Sequence, residues 1–181
     1  QRQMCIRDRE KEEEARNLRE SFRVKVRFSD IIEKGRTGKM KILVLNGPNI
    51  NFLGIREKGI YGTEDYAYLV SLLTDKAQKE GHELEVFQSN YEGGLIDKIQ
   101  EAYHNGTEGI IINPGAFTHY SYAVRDALGS VNIPKVEVHI SNVHKREEFR
   151  HVSVTAPVCT GQVVGLGLKG YALAMDFLTG R

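Results

Sequence analysis

The sequence predicts a doubly wound α/β fold of the flavodoxin-like type: a five-stranded parallel sheet in the order 2-1-3-4-5, with helices on both faces. Two observations carry this prediction. From residue 41 onward, short apolar runs rich in β-branched residues alternate with segments of helical periodicity, the pattern of successive βα units. Polar clusters fall directly after the first, third and fourth of these runs, at the carboxyl ends where such sheets bind their ligands.

Ile42-Leu43-Val44-Leu45 reads as a buried first strand. The connection behind it, Asn46 to Gly62, takes 17 residues, whereas strand-to-helix loops usually take about two to six, so it is read as a lid or binding loop. It carries amides at Asn46 and Asn49, a guanidinium at Arg56, and a phenol at Tyr61 flanked by Gly59 and Gly62. Thr63 is expected to cap a helix running to Glu80, with Leu69, Leu72, Leu73 and Ala77 inward and Gly81 as its left-handed stop. Glu83 to Gln88 alternates as the second strand, and Leu95, Ile99 and Ala102 mark a second helix ending before Gly106. Gly109 to Ile112 is a third strand whose continuous apolar character suits burial on both faces. A turn at Pro114-Gly115 leads into a helix over 120–128. Lys135 to Ile140 forms the fourth strand, Val163 to Leu166 the fifth, and Gly170 to Leu178 a closing helix with Ala172 and Leu173 inward.

Length and composition narrow the function classes. At 181 residues and 40% hydrophobic content the chain holds one domain with a proper core. No apolar run approaches the ~20 residues that span a bilayer, and no signal pattern opens the chain, so a soluble cytoplasmic protein is expected. Cys5 and Cys159 are its two cysteines, which excludes a disulfide framework and a cysteine-based zinc site. Of 25 basic and 24 acidic residues, 12 and 8 fall in the first 39, leaving 13 and 16 for the body. A body of net charge −3 argues against nucleic acid as a partner.

Those first 39 residues are read as a separate charged extension, artefactual or disordered, and 40–181 as the catalytic domain. Met4-Cys5-Ile6-Arg7-Asp8-Arg9 resembles a translated sequencing adapter, and Met40 is then the natural start. The alternative is a genuine solvated extension, in which Phe22, Val24, Val26 and Phe28 alternate as a short strand would.

The polar clusters are Asn46 and Asn49 after the first strand, Asn113, Thr118 and His119 after the third, and Glu137, His139, Ser141 and Asn142 at the end of the fourth. In a 2-1-3-4-5 order these strands are neighbours, so the clusters are expected to share one mouth. Singly, each has an ordinary reading. Asn46 to Asn49 can be a turn, His119 a helix cap, His139 a satisfied core histidine, and Asp126 beside Arg125 a solvated helix face. A flavin- or nucleotide-binding module is disfavoured because the first loop lacks a glycine-rich phosphate cradle, and a phospho-receiver domain because asparagines stand where acidic residues belong.

Three motifs in order, Asn-Gly-Pro-Asn through Gly-Ile-Arg-Glu to Tyr-Gly at 46–62, Ile-Asn-Pro-Gly-Ala-Phe-Thr-His at 112–119, and Glu-Val-His-Ile-Ser-Asn-Val-His-Lys-Arg-Glu-Glu-Phe-Arg at 137–150, resemble the type II 3-dehydroquinate dehydratases. The resemblance covers 41 to about 178. It implies a hydro-lyase that dehydrates 3-dehydroquinate to 3-dehydroshikimate through an enolate, without cofactor, as a homo-oligomeric dodecamer of trimers; no metal is expected, because no three ligands sit at metal-binding spacing. By the same resemblance Tyr61 is the base at C2, Arg56 its activator, and His139 the acid for the departing hydroxyl. Asn49 then holds an enolate-binding water, and Asn113, His119, Ile140, Ser141 and Arg150 contact substrate. Asp126 reaches in from a neighbouring subunit, while Glu137 and Arg146 support the site.

The chemistry agrees with these roles. A free phenol is ionised in about one molecule in a thousand at neutral pH, and a nearby guanidinium favours phenolate. Histidine has the proton affinity that a hydroxyl leaving group needs near pH 7, and Glu137, two positions from His139 on a strand, lies on the same face to orient it.

Overall fold

The computed structural model describes residues 38–55 and 64–181. The expected roles of Arg56, Tyr61 and Thr63, and the alternation at 22–28, therefore lie outside the described residues. Five strands form one parallel sheet: β1 Lys41–Asn46, β2 Glu83–Gln88, β3 Gly109–Asn113, β4 Lys135–His139 and β5 Gly161–Val164. Their order is β2-β1-β3-β4-β5, as the alternation predicts. Among the described residues the α-helices are α1 Tyr66–Glu80, α2 Glu92–His104, α3 Tyr122–Ser130 and α4 Lys169–Thr179.

Period-two alternation divides the core into two layers. Ile42 and Val44 of β1, Ile111 of β3 and Val136 and Val138 of β4 pack with Leu69, Leu73, Tyr171 and Met175 of α1 and α4. Leu43, Leu45, Ile110 and Ile112 pack on the other face with Leu95, Ile99, Val124 and Leu128 of α2 and α3. Side chains at the strand ends inherit the same parity. Asn46 and Asn113 continue the α1/α4 layer, and Glu137 and His139 continue the α2/α3 layer. A cavity at the carboxyl edge can therefore draw on both.

Several element boundaries differ from expectation. α1 is capped by Asp65, whose side chain accepts from Tyr68 N–H at 2.7 Å, so the helix starts three residues beyond Thr63; Leu72 is only partly buried, while Gly81 (φ 79°) stops the helix as predicted. α3 starts at Tyr122 because Ser121 accepts from Val124 N–H at 2.9 Å, and the Pro114-Gly115 turn passes first through a 3₁₀ turn at Gly115–His119. β5 lies two residues earlier than expected, because Gly165 (φ 82°) turns the chain away and leaves Leu166 53% exposed. In α4 the inward residues are Tyr171, Ala174, Met175 and Leu178; Leu173 is exposed and Ala172 half-buried, which corrects the helix phase read from the sequence. A stripe of small and apolar residues running nearly all round that helix leaves its phase ambiguous until it is packed. His82, expected at the surface, is half-buried and its Nδ1 accepts from Met40 N–H at 3.3 Å.

Candidate active site

The turn after β1 and the turn after β3 interlock. Gly47 N–H donates to Asn113 O at 2.8 Å, and a Cβ on Gly47 would stand 2.2 Å from Pro114 O, so only glycine permits this approach. Beyond Pro48 the chain enters the left-handed region at Asn49 (φ 67°), the one non-glycine residue to do so among the described residues. Asparagine tolerates that conformation better than most residues. Its backbone N–H donates to Asn90 Oδ1 at 3.0 Å, and Gln88 Nε2 donates both to that same oxygen and to Gly47 O, at 3.0 and 3.2 Å. The end of β2 thus holds the loop that presents Asn49.

An open cavity of about 120 Å³ lies where these turns meet β4. Asn49, Asn113, His119, His139, Ile140, Ser141, Arg146 and Arg150 all line it, so eight of the twelve expected site residues share one mouth. A second chamber of about 390 Å³ shares His119, His139 and Arg150 with it and is also lined by Thr118, Ser153 and Gln162. Glu137 sits behind His139, fully buried. Asp126 is exposed on α3 and does not line the cavity; Arg56 and Tyr61 lie outside the described residues. Asn142, grouped with the fourth-strand cluster, instead accepts from His144 N–H and caps a 3₁₀ turn.

Glu137 is the electrostatic centre of the site. Its Oε1 accepts from His139 Nε2 at 2.7 Å and from Gln162 Nε2 at 2.7 Å, with Thr118 and Ser153 hydroxyls each at 2.9 Å. Its Oε2 accepts from the buried Thr155 hydroxyl at 2.5 Å. The three hydroxyls also touch one another: Thr118 Oγ1 is 2.9 Å from both Ser153 Oγ and Thr155 Oγ1. Ser153 Oγ accepts in turn from Ala156 N–H at 2.8 Å, which leaves its own proton for the carboxylate. Burial pushes the Glu137 carboxyl up, yet the bonds from His139, Thr155 and Gln162 outweigh it and hold the group at about 2. An ionised carboxylate only accepts, so His139 Nε2 carries a hydrogen and Nδ1 is the nitrogen left for the cavity.

His119 is oriented differently. Its Nδ1 lies 2.8 Å from Val152 O, and a carbonyl also only accepts, so Nδ1 donates and Nε2 is the free nitrogen. Burial, with the nearby charges of Arg150 and His139, pushes this ring's pKa down despite the carbonyl, which favours a neutral ring. Arg150 is steadied from two sides: its Nε donates to Glu147 Oε2 at 2.8 Å, and its guanidinium lies 4.7 Å from the Phe149 ring centre.

Asn113 is fixed by neighbours distant in sequence. Its Oδ1 accepts from Gly115 N–H at 3.2 Å and its Nδ2 donates to Tyr171 Oη at 2.8 Å. Among the described residues no group of three or more His, Cys, Asp or Glu is placed to hold a metal ion. The cavity therefore offers an imidazole backed by a buried anion, a locked amide, a neutral imidazole and two guanidinium groups. That set suits proton transfer on a small anionic, hydroxylated molecule.

Ser153, Thr155, Gln162 and Tyr171 were missed in the sequence. The polar–apolar alternation of His151-Val152-Ser153-Val154-Thr155 is a signal for the first two alone, and it looks like any exposed strand.

Comparison with known proteins gives the same answer. The family model described as Dehydroquinase class II matches residues 40–179. A 3-dehydroquinate dehydratase of Lachnoclostridium phytofermentans is 77% identical over 137 residues, 76% of this chain and 94% of that protein. One of Thermotoga maritima is 57% identical over 139 residues, covering 77% and 94%. The crystal structure of type II dehydroquinase from Butyrivibrio crossotus superposes with a TM-score of 0.77 at 67% identity, over 77% of this chain and 97% of that one. That of Propionibacterium acnes gives 0.75 at 44%, over 80% and 100%. A carboxylate-backed histidine at the carboxyl edge of a 2-1-3-4-5 sheet and these matches lead to one conclusion: the chain belongs to the class II dehydroquinase family.

Proposed function

We propose that the chain is a hydro-lyase that removes water from 3-dehydroquinate by anti elimination, giving 3-dehydroshikimate through an enolate, in the shikimate pathway. The observation that carries this reading is the Glu137–His139 pair facing a cavity lined by Asn49, Asn113 and Arg150, in a chain 77% identical to a protein named 3-dehydroquinate dehydratase.

In this reading Tyr61, ionised with the help of the Arg56 guanidinium, removes the C2 proton. The charge that develops on the carbonyl oxygen is met by a water held on Asn49, and a preorganised donor of this kind commonly contributes ~3 kcal/mol to lowering the barrier. His139 then protonates the departing hydroxyl, and the constant negative charge of Glu137 stabilises the imidazolium that gives the proton. Asn113, neutral His119, Ile140, Ser141 and Arg150 hold the substrate's hydroxyls and carboxylate, with Arg146 in support. Asp126, exposed and outside its own chain's cavity, serves the site of a neighbouring subunit, as the resemblance implies. The assembly is a trimer or a dodecamer of trimers, working in the cytoplasm. Residues 40–181 are the catalytic domain, and the charged extension takes no part.

The test is direct. Purified protein mixed with 3-dehydroquinate should produce the ultraviolet absorbance of a conjugated enone, and no such absorbance at any pH between 6 and 9 sinks the proposal. Borohydride added with substrate should leave activity intact, because no lysine among the described residues lines the cavity and the elimination needs no Schiff base. Treatment with a chelator should likewise leave turnover unchanged.

A further inference from the structure

We infer that Tyr171, on the helix that closes the chain, is a positioning residue for the substrate-facing amide of Asn113. The inference rests on the reading of Asn113 as a substrate contact. Tyr171 is fully buried in the layer between α4 and the sheet, and a buried tyrosine needs a partner for its hydroxyl. It has two. The hydroxyl donates to Asn46 Oδ1 at 2.7 Å and accepts from Asn113 Nδ2 at 2.8 Å.

Asn46 and Asn113 are register partners at the carboxyl ends of β1 and β3, so one phenol ties together the two strand ends from which the site's first two loops depart. The bonding directions are forced. Gly115 N–H can only donate, so it fixes the Asn113 oxygen on its own side and the nitrogen toward Tyr171; the hydroxyl accepts there and sends its one proton to Asn46 Oδ1. The Asn113 amide is thereby held with nitrogen toward Tyr171 and oxygen toward Gly115 N–H. One N–H remains for the cavity, aimed before any ligand arrives.

Asn46 shows that the arrangement is maintained at some expense. Its side chain is fully buried, and its Nδ2 makes no hydrogen bond of ordinary geometry, with the Tyr66 phenol as a polar neighbour. Buried donors without partners are uncommon and call for an explanation. Here the explanation is its oxygen: a side chain with that acceptor is needed to take the Tyr171 proton, and the nitrogen comes with it. An aspartate would accept equally well but would place an unpaired charge in the core.

A merely structural tyrosine would move stability and leave substrate binding alone, and a double-mutant cycle separates the two. Initial rates of enone formation are measured for wild type, Tyr171→Phe, Asn113→Ala and the double variant, with unfolding temperatures alongside. The phenylalanine variant should raise KM roughly ten-fold with kcat within about three-fold, since the misaimed amide is a binding group. In the Asn113→Ala background the same change should alter KM by less than about two-fold. A ten-fold effect that persists in that background, or a Tyr171→Phe enzyme with a lowered unfolding temperature and wild-type KM, overturns the inference. Asn113→Ala with unchanged KM would remove the substrate contact itself, a separate failure that takes the inference with it. If Tyr171→Phe does not fold, Asn46→Ala enters the cycle in its place. Without the Asn46 acceptor the Tyr171 hydroxyl loses the partner that keeps its lone pair on Asn113 Nδ2, the amide is less firmly aimed, and KM should rise in the same way; an unchanged KM counts against the inference.

Discussion

The Nε2 of His139 stands 2.7 Å from Oε1 of Glu137, and both residues are buried in the α2/α3 layer at the carboxyl end of β4. Four side chains besides His139 converge on that carboxylate, so three hydroxyls and an amide share with the imidazole in holding its charge. An acid backed by a permanent anion can give up its proton and regain it without the pocket rearranging.

Glu137→Gln keeps the shape and removes the charge. It should lower kcat by about a hundred-fold or more, with a smaller change in KM, as measured by initial rates at saturating substrate. Wild-type turnover in this variant would mean that the anion has no part in the proton transfer.

The same carboxyl links stability to pH. Its folded value, about 2, lies below the ordinary 4.5, so the fold favours the ionised form. The resulting stabilisation, on the order of 3 kcal/mol, is fully present above pH 4.5 and is lost as pH falls toward 2. Urea unfolding of wild type and Glu137→Gln should therefore differ by a constant amount above about pH 5. The gap should narrow through pH 4 and 3; a gap that widens on acidification contradicts the sign.

Thr155→Val removes the hydroxyl at 2.5 Å from Glu137 Oε2 and keeps the side-chain volume. An expected fall in kcat of about ten-fold follows from the loss of the hydroxyl on Oε2 that fixes the carboxylate's orientation toward His139. In the Glu137→Gln background the substitution should change kcat little, and full additivity of the two effects would show that Thr155 acts by another route.

Tyr61→Phe and Arg56→Ala should each reduce kcat by about 10²- to 10⁴-fold, with KM changed only a few-fold, because base and activator act in the transition state. Near-normal turnover by either variant removes that residue from the mechanism.

Gly47→Ala tests the interlocked turns. The added Cβ meets the Pro114 carbonyl, which is backbone and cannot swing aside. A loss of about 2–4 kcal/mol in unfolding free energy is expected, together with weakened substrate binding as the Asn49 loop is displaced. An alanine variant as stable as wild type would show that the two turns are not held this closely.

The sheet order and eight of the cavity-lining residues were legible before any folding was considered, because both follow from local pattern. Alternation at period two assigns each strand residue to a face, and in parallel βα units the loops after strands collect at one edge. Local pattern misled where several residues compete for one role. Thr63 and Asp65 can both cap α1, and Ala172, Leu173, Ala174 and Met175 can all face inward on α4 until the sheet is there to choose.

By itself, then, the sequence determined the alternation of strands and helices, the turns that end each strand in polar side chains, and the three motifs of the family. Tertiary structure alone decided what anchors those side chains. Ser153, Thr155 and Gln162 reach Glu137 from 16, 18 and 25 residues away, and Tyr171 reaches Asn113 and Asn46 across 58 and 125. The reason is physical: periodicity reports which face a residue prefers, whereas a hydrogen bond between distant segments exists only once packing has brought donor and acceptor within about 3 Å of each other.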